Sequence, residues 1–333
     1  MDKAADKRPT LKTLAEVTGL GISTVSQALR DSPAIAEETR RRVQLAAKQA
    51  GYRPNRAGVR LRTGKTNVIT VVLNAQDEGS GFFSDFVYGV AAGLSGTPYH
   101  LVITPYSSED DMSPIRYIAE TSSADGVVIS RTQPDDARVR FLQDNNIPFV
   151  THGRTVSPSA HPFIDFDNEA FAHEAVRILQ QRGRKRAALL GPPPQLTYHM
   201  HTNRGFERGL QEFKLISVPL GSADIDQPLQ STRALGRQLA DMPNRPDGFV
   251  VSSTTSAVAL AVGLREAGLQ ITKDFDIVSK FSSQLTQLAN PDIISIPEDF
   301  GAAGRSCAEL LVQAIDGVAA EDLQRIHNWS SQG

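Results

Sequence analysis

Residues Thr10–Arg30 read TLKTLAEVTGLGISTVSQALR. Leu11, Leu14, Ala15, Val17 and Leu20 recur at helical spacing and predict one buried face. Gly19 and Gly21 predict a turn tight enough to need positive φ. A second helix then buries Val25 and Leu29 and turns Ser23, Thr24, Ser26 and Gln27 outward. Short polar groups on such a helix suit contact with base edges in a DNA major groove. The plainer reading of these residues is a small helical hairpin with a solvated polar face.

A third helix is expected over Ala36–Ala50, AEETRRRVQLAAKQA, with acids in its first turn and Gly51 at its end. The stretch GYRPNRAGVRLRTGKTNVITVVL follows. This succession resembles the lac repressor family of transcription regulators. The matching residues are Thr10-Leu11, Ala15, Gly19, Thr24-Val25-Ser26, Thr39-Arg40, Val43, Gly51-Tyr52, Pro54-Asn55 and Leu61. The resemblance is specific over residues 9–73 and looser to about residue 316. It implies an α-helical helix-turn-helix head and an α/β two-lobed, periplasmic-binding-protein-like domain with doubly wound parallel sheets. The expected boundaries are 8–53 for the head, 54–66 for a hinge, and 67–333 for an effector-binding and dimerisation domain. Lobe 1 would take about 67–167 and 297–325, and lobe 2 about 168–296 and 326–333.

Charge divides the chain at the same place. Residues 1–66 carry 14 Lys or Arg against 6 Asp or Glu, whereas the remaining 267 carry 21 against 31. A basic head on an acidic body is the footprint of a nucleic-acid-binding segment attached to a domain with another task.

The resemblance makes Thr10, Ile22, Ser23, Thr24, Ser26, Gln27, Tyr52, Asn55, Arg56, Gly58 and Leu61 the expected DNA-contacting residues. Ile22 and Ser23 occupy the positions the family uses most for base discrimination, and Gln27 follows one turn later. Gln27 suits a bidentate pair with adenine, and Ile22 a thymine methyl. Many relatives have arginine where Gln27 stands, which puts the usual guanine preference in doubt. Ala36 replaces a common serine at a helix N-cap, at a cost of about 1 kcal/mol. Asn55–Arg62 is too short to be a stable helix alone, and Gly58 weakens it by about 1 kcal/mol relative to alanine. In the family this hinge helix pairs with its twin in the dimer and inserts a leucine, here Leu61, between central base pairs. Gly64-Lys65-Thr66 is not the tail of a Walker phosphate loop, because the required glycine position holds Val59.

From Asn67 onward, strand candidates alternate with helical patterns: Val68–Leu73, His100–Thr104, Gly126–Ser130, Pro148–Thr151, Ala187–Leu190, Ser217–Leu220, Gly248–Val251, Asp276–Ser279 and Ile293–Ile296. This is βαβ alternation with parallel sheets. The family has three crossovers between its lobes, expected here near 166–168, 296–298 and 323–327. Ligands bind outside the carboxyl ends of parallel strands, which places the pocket in the interlobe cleft. The candidates there are Phe82, Phe83, Asp85, Arg131, His152, Arg154, Asp167, Arg204, Ser253, Lys280 and Asp299. Arg204 matches the family's effector-contacting arginine. Ser253-Thr254 and Lys280-Phe281 replace residues that relatives use to hold neutral sugars. Lys280 with three arginines therefore predicts an anionic effector, a sugar acid or sugar phosphate.

Other features are plainer. Cys307 is expected to be a small buried residue. The QRGRKR ending at Arg186 reads as a solvated helix end. His199 and His201 read as loop or cleft-edge residues without metal-ligand company. No cofactor, export signal or membrane span is expected, so the chain reads as cytoplasmic. The leading expectation is a homodimeric regulator, a repressor, of carbohydrate genes that binds palindromic operator DNA. The competing reading is an enzyme or transport-type solute-binding protein; no nucleophile elbow or glycine-rich cofactor loop supports it.

Overall fold

The computed structural model describes residues 9–52, 60, 64–74, 82–107, 110–281 and 288–328. Met1–Thr66 and Asn67–Gly333 are two compact units. Among the described residues the first unit holds α1 (Leu11–Thr18), α2 (Ile22–Ala28) and α3 (Glu37–Gln49). Thr10 caps α1 by accepting a bond from the Thr13 N–H, and Thr13 Oγ1 accepts the Thr10 N–H in return. This is a capping box with threonine where glutamate or glutamine is usual. Gly19 ends α1 at φ 66°. Gly21 instead is extended, at φ −65°, so only Gly19 needs glycine's freedom in the turn. Leu14, Val25, Ala28, Val43, Ala46 and Ala47 form the small core. Val17, expected inside, is 66% exposed.

The second unit begins with β1 (Val68–Asn74), α4 (Phe82–Gly93), β2 (His100–Tyr106), α5 (Ser113–Thr121), β3 (Gly126–Ser130), α6 (Ala137–Asp144), β4 (Phe149–His152) and β5 (Phe163–Phe166). It crosses into a second lobe of α7 (Asn168–Gln181), β6 (Arg186–Leu190), α8 (Thr197–Phe213), β7 (Ile216–Ser217), α9 (Leu229–Ala240), β8 (Gly248–Val251), α10 (Thr254–Glu266), β9 (Asp276–Phe281) and β10 (Ile294–Pro297). It then returns through α11 (Phe300–Ile315), a short 3-10 turn and β11 (Gln324–His327). Strand orders are β11-β5-β4-β3-β1-β2 and β10-β9-β8-β6-β7, and every described pairing is parallel.

Near-continuous apolar runs such as VITVVL and GVVIS are buried on both faces, as parallel strands require. α11 packs on α4, with Phe86, Val90, Cys307 and Leu311 in the first lobe's core. Cys307 is fully buried there, and burial pushes its thiol above the ordinary range. In the second lobe α8 lies so close to α7 that a Cβ on Gly205 would stand 2.0 Å from the Glu169 carbonyl oxygen. Only glycine fits this contact.

Three strands differ from expectation: β7 covers only Ile216–Ser217 where Ser217–Leu220 was expected, and β5 and β11 were not expected. β5 and β11 pair with each other at the edge of the first sheet. β11 therefore carries residues 326–327 into lobe 1, where lobe 2 was expected. The third crossover lies beside the first: the Asp167 N–H donates to the His327 carbonyl at 2.8 Å.

Candidate effector site and DNA-reading helix

On α2, Ile22 is 50% exposed and Ser23 is exposed, whereas Thr24, Ser26 and Gln27 are half-buried. Thr10 is exposed at its cap. Arg30 Nε donates to the Ser26 carbonyl at 2.9 Å, which shapes the exit from the helix. Tyr52 packs against the head's core. Asn55, Arg56, Gly58 and Leu61 lie outside the described residues. Ile22 and Ser23 thus present the open N-terminal end of α2, the part that meets bases when such a helix enters a major groove.

Within the second unit a cavity of about 330 Å³ opens between the lobes at the carboxyl ends of both sheets. That volume is in the range of small-molecule sites, roughly 300–1,000 Å³. Lobe 1 contributes Phe82, Ser130, Arg131, His152 and Phe300. The facing lobe contributes Tyr198, Ile225, Asp226, Ser252, Ser253 and Lys280. Asp165 on β5, Asn168 at the first crossover and Glu298 at the second complete the lining. Phe82 stacks on Phe86 at 5.0 Å and meets Phe300 edge-on at 5.0 Å. This aromatic wall also encloses His152, 5.3 Å from the Phe82 ring. Ser253 lines the cavity and caps α10.

Among the described residues, every Lys or Arg at the cavity faces a carboxylate. Lys280 Nζ lies 2.9 Å from Glu298 Oε2 and donates to Asn168 Oδ1 at 2.6 Å. It also sits 4.7 Å above the Phe166 ring, a cation–π contact. Arg131 donates both terminal nitrogens to Asp226, Nη1 at 3.3 Å. Arg154, beside the cavity, lies 2.8 Å from Asp165 Oδ2. Charge balance is what a buried, apolar-walled site demands. By contrast, Ser130 Oγ and Ser252 Oγ are buried without a hydrogen-bond partner among the described residues. Orphaned buried polar atoms are uncommon and mark positions built for another partner.

Burial sets the protonation of this region. His152 is pushed down to about 3, first by burial and then by Lys280 and His327, so its imidazole is neutral near pH 7. Asp165 is pushed up to about 6, chiefly by burial against the opposing pull of Arg154 and Lys280. A carboxyl with a raised folded pKa stabilises the fold most below its unfolded value, 3.8, and loses that contribution as pH rises through 6. Relative to Asp165→Asn, the native chain should gain about 1.4 kcal/mol per pH unit as pH falls from about 6 to about 4. Denaturant unfolding of both proteins across that window checks this, and parallel stability curves would refute it.

Five of the eleven expected effector residues line the cavity: Phe82, Arg131, His152, Ser253 and Lys280. Phe83 packs on the lobe core instead, and Asp85 is exposed in the first turn of α4. Asp167 and Asp299 cap α7 and α11, accepting from Ala170 N at 2.9 Å and Ala302 N at 2.7 Å. Arg204 stands 61% exposed on α8, 3.5 Å from Glu169, and does not line the cavity. His199 and His201, read as loop or cleft-edge residues, lie on α8 and not in a loop. The basic cluster before β6 is anchored: Arg182 and Arg184 both hold the fully buried Asp276. The sequence reading missed Asp165, Asp226, Glu298, Ser130 and Ser252. Ser130 and Ser252 had a signal, since each stands at the carboxyl end of an expected strand; Asp226 lies in a loop and had none.

Comparisons with known proteins agree with this geometry. Residues 10–55 match the model of bacterial regulatory proteins of the lacI family, and residues 176–327 match a periplasmic binding protein-like domain. The HTH-type transcriptional regulator AglR of Rhizobium meliloti (strain 1021) is 34% identical over 316 residues, covering 92% of this chain and 87% of AglR. The lac repressor dimer bound to operator and the anti-inducer ONPF superposes with a TM-score of 0.81 at 19% identity, over 94% of each chain. The transcriptional regulator CelR–cellobiose complex gives 0.70 at 24% identity, over 96% of this chain and 97% of that one. No described helix is long and apolar enough to cross a membrane. Head, two-lobed body and relatives converge: the chain belongs to the lacI family of bacterial DNA-binding transcriptional regulators.

Proposed function

We propose that this regulator is a homodimeric repressor of carbohydrate genes, that it binds palindromic operator DNA, and that a neutral mono- or disaccharide in the interlobe cleft controls its operator affinity. The observation that carries the ligand class is the pairing, among the described residues, of every cleft Lys or Arg with a carboxylate, beside unpartnered hydroxyls from both lobes. Hydroxyl-rich neutral ligands match that inventory, because they donate to Asp165 and exchange bonds with Ser130 and Ser252. Phe82, Phe300 and Tyr198 supply apolar faces for sugar rings. The anionic sugar acid or phosphate suggested by Lys280 and the arginines is disfavoured, since those cations are already neutralised. A relative of the same fold is known in complex with cellobiose.

On the head, Ile22, Ser23 and Gln27 are the residues proposed to meet bases, with Leu61 as the hinge wedge. Coupling follows from differential binding: a ligand that favours one cleft state shifts the population that binds operator.

The test is thermal unfolding of the full chain with neutral mono- and disaccharides. A ligand at 100 times its Kd should add about 2.7 kcal/mol to the body's stability. The same sugar should change affinity for a palindromic operator, and that affinity should fall steeply with salt. Absence of any sugar-dependent change in both assays would overturn the reading.

A further inference from the structure

We infer that Asp226 is a specificity-determining residue of the cleft: by filling the Arg131 guanidinium fork from the opposite lobe, it denies that fork to anionic ligands. The inference rests on the reading of the cleft as the effector site and adds the residue that sets its charge preference.

Arg131 belongs to lobe 1, immediately after β3, and Asp226 to the loop between β7 and α9 of lobe 2. Both line the cavity. Their side chains are 15% and 26% exposed, so the pair is largely shielded from water. Both nitrogens of the fork engage both carboxylate oxygens. This is the bidentate geometry in which arginine recognises carboxylate or phosphate groups of ligands. Here the protein supplies the anion itself.

Each partner is held in place. Arg131 sits at φ 55°, a left-handed conformation uncommon for a long side chain. Arg138 fixes it there by donating to the carbonyls of Ser130 at 3.1 Å and Arg131 at 3.0 Å. On the other side, the Ile225 N–H donates to the Gly191 carbonyl at 3.0 Å. Ser256 Oγ donates to the Ile225 carbonyl at 3.3 Å, and the Asp226 N–H to Asp224 Oδ1 at 2.9 Å. A built loop therefore presents Asp226 to a built arginine. Lys280 offers an anion no alternative, because Glu298 and Asn168 already engage it.

The experiment compares full-length native chain, Asp226→Asn, Asp226→Ser and the double variant Arg131→Gln/Asp226→Asn. The probes are inorganic phosphate, glucose 6-phosphate and neutral disaccharides, read as thermal shifts against concentration. Both single variants should be half-saturated by glucose 6-phosphate at concentrations at least tenfold below the native chain, and the double variant should lose that gain. The basic head is common to all four proteins, so phosphate binding there cancels. Equal anion response in native chain and single variants, or a gain that survives in the double variant, overturns the inference. Native stabilisation by a neutral sugar without any anion gain in the variants would sink this inference and leave the neutral-sugar reading standing. An anion gain without any neutral-sugar response would do the reverse.

Discussion

Lys280→Ala should destabilise the two-lobed body by roughly 3–5 kcal/mol, the usual cost of removing one partner from a buried ion pair. Lys280 is 6% exposed and Glu298 9%. Truncation would leave the Glu298 carboxylate facing the apolar surroundings of Phe166 and Phe171, rings that now receive the ammonium at 4.7 and 5.5 Å. The position has a second consequence. Lys280 is the penultimate residue of β9 in lobe 2, Asn168 begins α7 at the first crossover, and Glu298 lies in the second. One ammonium therefore ties a strand of lobe 2 to two of the segments about which the lobes move. Its loss should also weaken ligand binding, although no charge on the ligand is involved. Lys280→Met combined with Glu298→Leu should recover most of the stability, because apolar residues of similar size replace buried ion pairs at little cost. Denaturant unfolding of the three proteins settles it. A Lys280→Ala loss below about 1 kcal/mol would show that the pair is not a structural clamp.

The reading of Lys280 marks where the sequence stopped being informative. Rules acting over a few residues carried the architecture: helical spacing in 11–20, the helix end at Gly51, and β-branched runs such as VITVVL. They failed at β5 and β11. FIDF places an acid within a short strand, and QRIH is largely polar, so neither shows the apolar signature of a buried strand. The site failed for a different reason. Its cations were visible singly, but which groups face them is set by the fold: Asp226 lies 95 residues from Arg131 and Asn168 lies 112 from Lys280, while the nearer acids Glu298 and Asp165 are not marked as partners by any local pattern. An unpaired lysine at a strand end suggests an anion; a paired one suggests a hinge. Only the fold distinguishes them. Arg204 illustrates the opposite error, since a motif match placed it in the pocket while its side chain turns toward Glu169 and solvent.

Arg138→Met is the other large effect, and it tests how the cleft is held in shape. Arg138 is 1% exposed, yet it is charged. It donates to both oxygens of Asp136, Nε at 3.0 Å and Nη2 at 2.7 Å. It also reaches the carbonyls of Ser130 and Arg131 at the end of β3. The Asp136 carboxylate in turn accepts the backbone N–H groups of Gln133 and Arg138, starting α6. Methionine fills much of the volume but leaves a buried carboxylate and two carbonyls without their cation. A loss of roughly 3–5 kcal/mol is expected. pH separates this account from a simple packing defect. Burial by itself would raise the Asp136 carboxyl; the Arg138 hydrogen bond and charge, with the backbone N–H groups of Gln133 and Arg138, outweigh it and hold the group below its ordinary value of 3.8. That depressed pKa supplies stability above about 3.8, lost as pH falls through the folded value. In the variant, only the backbone N–H groups of Gln133 and residue 138 still oppose burial, so the Asp136 carboxyl titrates higher than in the native chain. The deficit between native chain and variant should therefore be largest near neutrality and narrow on acidification toward pH ~4. Asp136→Asn in the variant background should recover part of it at neutral pH. A deficit independent of pH would mean that Arg138 acts as filler, and the anchoring of the Arg131 backbone beside the cleft would need another cause.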